Sequence, residues 1–305
     1  MKVGITGATG LIGRALCVRL LADGAEVTAF TRDAAFAQQR LPAGTRAVEW
    51  NPVAGVAPAG ALDGLDALVN LAGETIAPGI WTAERRRRIR DSRVLGTRNL
   101  VDSIRTLGRR PGVLVSGSAV GYYGDRGDEV LAEESASGGD FLARVCAAWE
   151  AEAQKAAELG VRVARVRAGV VLSRRGGLLG TMAVPFRFGL GGRLGNGRQW
   201  ISWVHVEDEV GLLIHAIHQP QIEGALHATS PEPVTNNTLT SALGVALRRP
   251  ALLWVPALAV RLAFGESAHM VLDSQRAQPA RALATGYRFR FPDLRGALAD
   301  VLPAR

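Results

Sequence analysis

The chain has 305 residues, 48% of them hydrophobic and 21% charged, with a net charge of +8. That profile is globular, with room for one large domain or two modest ones, and it excludes a disordered or fibrous chain. Of the 36 basic residues only Lys2 and Lys155 are lysines, and a basic balance by itself is a weak pointer to any partner.

Cys17 and Cys146 make no disulfide framework and read as buried thiols. The first residues carry no secretory apolar core, and no charge-free apolar run reaches the roughly 18 residues needed to cross a bilayer. A cytoplasmic protein with no membrane partner is expected.

In chain order, "KVGIT" (2–6) predicts a strand and "LIGRALCVRLLADG" (11–24) a helix stopped by Gly24. Strands follow at 26–32, 67–73 and 112–119, with a long helix at 81–108. A second long helix at 140–160 leads into a strand at 161–172. Strands alternating with helices imply parallel crossovers, hence an α/β fold with a Rossmann-type doubly wound sheet. Beyond 172 the texture becomes rich in Gly and Arg. A strand-to-helix run at 201–217 and a returning strand at 224–229 bring the chain back to the sheet. The expected division is a dinucleotide-binding domain of 1–172 continued by 205–229. A smaller discontinuous C-terminal lobe takes 173–204 and 230–305.

Gly7, Gly10 and Gly13 lie between the first strand and the first helix. Such a turn needs glycine for its sharpness, for close approach of a pyrophosphate and for packing of helix on strand. The helix start, at Thr9, Leu11 and Ile12, would then offer free N–H groups to the phosphates. The end of the second strand selects the cofactor. Thr31 stands where an acid would bind the ribose of NAD, and Arg32 offers a fork of donors to the extra phosphate of NADP. NADP is favoured, while Asp33 keeps NAD open.

"TGATGLIG", "VNLAGE", "SAVGYYG" and "WVHVEDEV" together resemble an extended short-chain dehydrogenase/reductase. "LAGETIA" (71–77), "RDSRVLGTR" (90–98), "FRFGLGGRLGNGRQWISWVHVEDE" (186–209) and "VPALAVRLAFGE" (255–266) narrow the likeness to the atypical, sugar-nucleotide epimerase-like subgroup. The resemblance implies NADP(H), with Leu71, Ala72, Gly73 and Glu74 along it, and a lobe over the nicotinamide. It places 187–205 at the substrate cleft, with Arg187, Arg198, Trp200 and His205 facing a small-molecule substrate, and it suggests a homodimer through the two long helices.

The superfamily's acid/base pair is missing. The tyrosines are Tyr122, Tyr123 and Tyr287, and four residues beyond them stand Arg126, Gly127 and Phe291, so no Tyr-x-x-x-Lys exists. The register puts Leu142 and Cys146 where that pair belongs and Arg93 where a relay Asn belongs, with only Ser118 retained. Arg93 is expected to face a cofactor or substrate phosphate. Candidates for proton transfer are Tyr122, Tyr123, Glu74 and His205, with Glu74 equally readable as a cap. Reductase, epimerase and non-catalytic NADP(H)-responsive regulator all remain open. The arginine run at 84–93 reads as a solvated helix face, not a nucleic-acid surface. The scattered histidines show no metal spacing.

Overall fold

A computed structural model describes residues 1–76 and 79–302. The last residue of the "LAGETIA" motif, Ala77, lies outside them.

Seven parallel strands form the central sheet. They are β1 (Lys2–Thr6), β2 (Glu26–Thr31), β3 (Thr45–Glu49), β4 (Ala67–Asn70), β5 (Val113–Ala119), β6 (Arg162–Ala168) and β7 (Gly224–Ala228). The order is β3-β2-β1-β4-β5-β6-β7, so the chain reverses direction between β1 and β4, where doubly wound folds bind their ligands.

The sheet is covered on both faces because its strands are apolar on both. Successive side chains point to opposite sides. Val69, Val113 and Val115 pack with Leu16 and Leu20 of helix α1 (Leu11–Ala22) and Leu212 and Leu213 of α6 (Val206–His218). Leu68 and Leu114 pack on the other side with Leu100 and Ile104 of α3 (Ala83–Arg105) and Ala153 of α4 (Phe141–Gln154).

The strand expected at 161–172 is broken at Gly169. A Cβ there would lie 2.5 Å from the Ser202 carbonyl oxygen, so only glycine lets the two backbones approach. Beyond it, Val170–Leu172 leaves the sheet and pairs with Trp203–His205. Leu172 and Trp203 belong to a separate lobe core with Leu179, Phe186, Leu239, Leu243 and Leu298. Gly169, Val170 and Ser230 donate backbone hydrogen bonds to Ala228, Ser202 and Trp203, so the passages between sheet and lobe are tied together. No helix among the described residues is long and apolar enough to cross a membrane.

Candidate functional site

The glycine turn joins β1 to α1 at the reversal point. Gly7 has φ +71°, and a Cβ on it would sit 2.6 Å from the backbone carbonyl of Leu71. A Cβ on Gly13 would sit 2.3 Å from the Gly7 oxygen. Gly10 is the N-cap of α1 and has no side chain to satisfy the first-turn N–H groups. A helix end left uncapped in a tight glycine cradle is a ready anion site. Thr6, Asn70, Thr97 and Ser116 brace the strand ends beneath it. Thr6 donates to Asn70 at 2.7 Å, and Asn70 donates to Thr97 at 2.8 Å and Ser116 at 3.4 Å.

At the end of β2 the two cofactor signals separate. Asp33 caps α2 (Ala34–Arg40), its carboxylate accepting from the Phe36 N–H at 2.8 Å. That oxygen is committed to the helix. Arg32 is exposed and makes no ion pair among the described residues. The residues present therefore fit a 2′-phosphate better than a bare ribose.

The far end of the cleft is built from β5, α4 and α3. Ser118 donates to Glu150 Oε1 at 2.7 Å, and both are buried. Arg167 clamps the same carboxylate through Nε and Nη2, and its Nη1 donates to Tyr123 Oη at 2.6 Å. Tyr123 Oη lies 2.5 Å from His227 Nε2, and His227 Nδ1 lies 2.8 Å from the Gln278 carbonyl. Tyr123 is wholly buried, and its phenol is pushed above its ordinary pKa chiefly by that burial. Its hydroxyl serves this internal network, which corrects the expectation that it works in the cleft. Tyr122 is half-buried with the Arg167 guanidinium 3.6 Å from its ring centre.

Cys146 contacts Ser118, and burial raises its thiol to about 11. It is therefore a neutral thiol, not a nucleophile. Arg93 lies against Gly73, where a Cβ would meet its Cζ at 2.9 Å, and 5.3 Å from the Trp149 ring centre. Its Nη1 donates to the backbone carbonyls of Glu74 and Ile89 at 3.0 and 3.2 Å. Glu74 is half-buried and donates its backbone N–H to the Ser92 hydroxyl oxygen at 2.8 Å, while its carboxylate has no hydrogen-bond partner among the described residues.

The residues expected on the substrate side divide. Arg187 and Arg198 are exposed. Trp200 donates from its indole to Asp128 at 2.8 Å and lies under the Arg276 guanidinium at 4.2 Å. His205 does not belong with them. It is 1% exposed, caps α6 by accepting the Glu207 N–H at 3.2 Å, and stacks on Phe291 at 3.8 Å. Its other nitrogen meets Asp300 at 3.3 Å, so it has no surface to offer a ligand.

A pair that the sequence reading passed over lines a cavity of about 410 Å³ between the loop after β5 and the lobe: His269 Nδ1 meets Asp273 Oδ1 at 2.8 Å. The signal was their spacing of four on one helical turn. Among the described residues no group of His, Cys, Asp and Glu is arranged to hold a metal.

A parallel sheet with a glycine turn at its reversal point, an uncapped helix above it and a separate lobe defines a dinucleotide-fold protein. Residues 3–227 match the model of the NAD dependent epimerase/dehydratase family, and 255–301 match a domain of unknown function, DUF1731. The chain belongs to that epimerase/dehydratase family. It is 42% identical over 288 residues to epimerase family protein Mb2239 of Mycobacterium bovis, covering 94% of this chain and 93% of that one. It is similar to the human epimerase family protein SDR39U1, solved with NADPH, at TM-score 0.87 and 35% identity over 99% of both chains. A nucleoside-diphosphate sugar epimerase from Corynebacterium glutamicum matches at TM-score 0.79 and 37% identity, over 99% of this chain and 58% of that one.

Proposed function

We propose that the chain binds NADPH as an atypical short-chain dehydrogenase/reductase, an oxidoreductase or epimerase that works without the Tyr and Lys pair. The observation that carries this is the division of labour at the end of β2. Asp33 is bound to its helix while Arg32 stands exposed beside Thr31. Gly7, Thr9, Gly10, Leu11, Ile12 and Gly13 would hold the pyrophosphate. Thr31 and Arg32 would take the 2′-phosphate, and Leu71, Ala72 and Gly73 would border the dinucleotide. The human relative solved with NADPH supports the choice.

Bound there, the dinucleotide supplies hydride transfer at its nicotinamide. The chain's own part is to orient a small-molecule substrate and move a proton. Glu74, whose charge acts on Arg93, and Tyr122, four residues beyond Ser118, are the candidates, since neither side chain has a hydrogen-bond partner among the described residues. Arg187, Arg198 and Trp200 would meet the rest of the substrate from the lobe. A cytoplasmic location and a homodimer through α3 and α4 belong to the same proposal.

The test is titration of NADPH and NADH into the wild type and Arg32→Ala. Tighter NADPH binding that Arg32→Ala reduces to the NADH level supports the reading. No binding of either nucleotide overturns it. Tight binding without turnover on carbonyl and nucleotide-sugar panels would mark an NADPH-responsive regulator instead.

A further inference from the structure

Arg93 is a cation short of a partner. Its guanidinium sits under Gly73 with two neutral carbonyls as acceptors, and no carboxylate comes within ion-pair distance of it among the described residues. The carboxylate of Glu74 acts on it only from beyond that distance, and burial pulls its pKa down. Arg93 is half-buried, and a guanidinium drawn partly out of water with only neutral acceptors leaves a ligand to bring the counter-charge. The Trp149 indole beside it is a second sign. Its N–H is buried without an acceptor among the described residues.

Ser118 narrows the ligand further. A serine hydroxyl has one hydrogen to give. Here that hydrogen goes to Glu150, a carboxylate already clamped by Arg167. Ser118 is itself buried with the Cys146 thiol against it, so what its oxygen has left to offer a ligand is a lone pair, and what meets it must be a donor. A carbonyl oxygen is not one; a hydroxyl is. Cys146 bridges the two groups, touching Ser118 on one side and standing near Arg93 on the other.

We propose that this cluster binds a hydroxycarboxylate, with the carboxylate on Arg93 and the hydroxyl donating to Ser118. This deepens the function proposed above and rests on it for the nicotinamide's place nearby. It assigns Arg93 to the substrate and not to the cofactor.

The experiment is ligand-observed NMR titration of glycolate, acetate and ethylene glycol into the NADP⁺-loaded protein. Glycolate should bind at least about tenfold more tightly than ethylene glycol, the scale of one charge-assisted hydrogen bond. Arg93→Gln should erase that difference and leave NADPH affinity within about threefold, far below what loss of such a bond would cost. Ser118→Ala should bring glycolate down to the level of acetate, and it decides the matter if Arg93→Gln fails to fold. Equal binding of glycolate and ethylene glycol to the wild type overturns the proposal. So does an Arg93→Gln protein that keeps its preference for glycolate, or one that loses NADPH, which would make Arg93 a cofactor ligand. Glycolate selectivity without any NADPH binding would overturn the cofactor reading and leave this one standing.

Discussion

Glu150 and Arg167 meet in a two-pronged ion pair at 2.7 and 2.8 Å, each side chain 3% exposed. Glu150 comes from α4 and Arg167 from β6, so the pair ties a helix to the sheet behind the cleft. Removing Arg167 leaves the buried Glu150 carboxylate only the longer Arg165 contact at 3.4 Å and the Ser118 hydroxyl. Arg167→Met should cost about 3–5 kcal/mol in urea unfolding, and the double change Glu150→Leu with Arg167→Met should recover more than half of it. A single variant costing under about 1 kcal/mol would mean that water reaches the pair.

The glycine turn should fail in a graded way. A Cβ at Gly13 meets the Gly7 backbone at 2.3 Å, whereas at Gly10 the same contact is 3.2 Å. Gly13→Ala should destabilise by about 1–3 kcal/mol and weaken NADPH binding at least about tenfold, because backbone cannot rotate out of the way. Gly10→Ala should do less of both. Calorimetric titration beside a thermal melt separates the two effects, and equal losses from both variants would contradict the geometry.

Asp33 is a helix cap, and its substitution should read as one. Asp33→Ala should cost about 1 kcal/mol of stability, while Asp33→Asn, which still accepts the Phe36 N–H, should cost little. Neither should change the ratio of NADPH to NADH affinity by removing a ribose ligand. A selective loss of NADH binding in Asp33→Asn would show that the carboxylate has a second duty.

Glu209 sets a pH dependence. It lies in α6, 1% exposed, with Oε2 lacking a partner among the described residues, and burial raises its pKa from 4.5 to about 8. The folded state keeps the proton that the unfolded state releases. Between 4.5 and about 8 the native protein thus binds more protons, and stability falls as pH rises. The slope approaches about 1.4 kcal/mol per pH unit, and it levels off above the folded pKa. Glu209→Gln should remove this slope and stabilise the protein at pH 8, seen in melts across the range. An unchanged slope would assign it to other groups.

Much of the sheet was legible because apolar runs and glycine stops mark buried parallel strands plainly. The strand Thr45–Glu49 and the short helix Ala34–Arg40 were not anticipated. The strand is a half-exposed edge, so its apolar signal is diluted by Arg46 and Glu49. The break at Gly169 was invisible because it depends on Ser202, which is remote in sequence. At the site, the glycine cradle and the absence of Tyr-x-x-x-Lys could be read directly. The placement of Tyr123 and His205 could not. A buried network and a helix cap use the same residue types as catalysis, and only the positions of Arg167 and of the Glu207 N–H tell them apart.

Backbone bonds around Gly169, Ser202 and Ala228 fasten the lobe to the sheet at one place, and the pairing of Arg276–Ala277 with Val130–Leu131 fastens it at another. Three passages of chain that could have flexed separately are fastened side by side, like pages at one spine. With a second seam at Arg276–Ala277, the lobe cannot turn about that line without breaking another pairing. A Cβ at Gly169 would therefore push apart the two strands that carry Val170 and Trp203 before it touched any residue of the glycine turn.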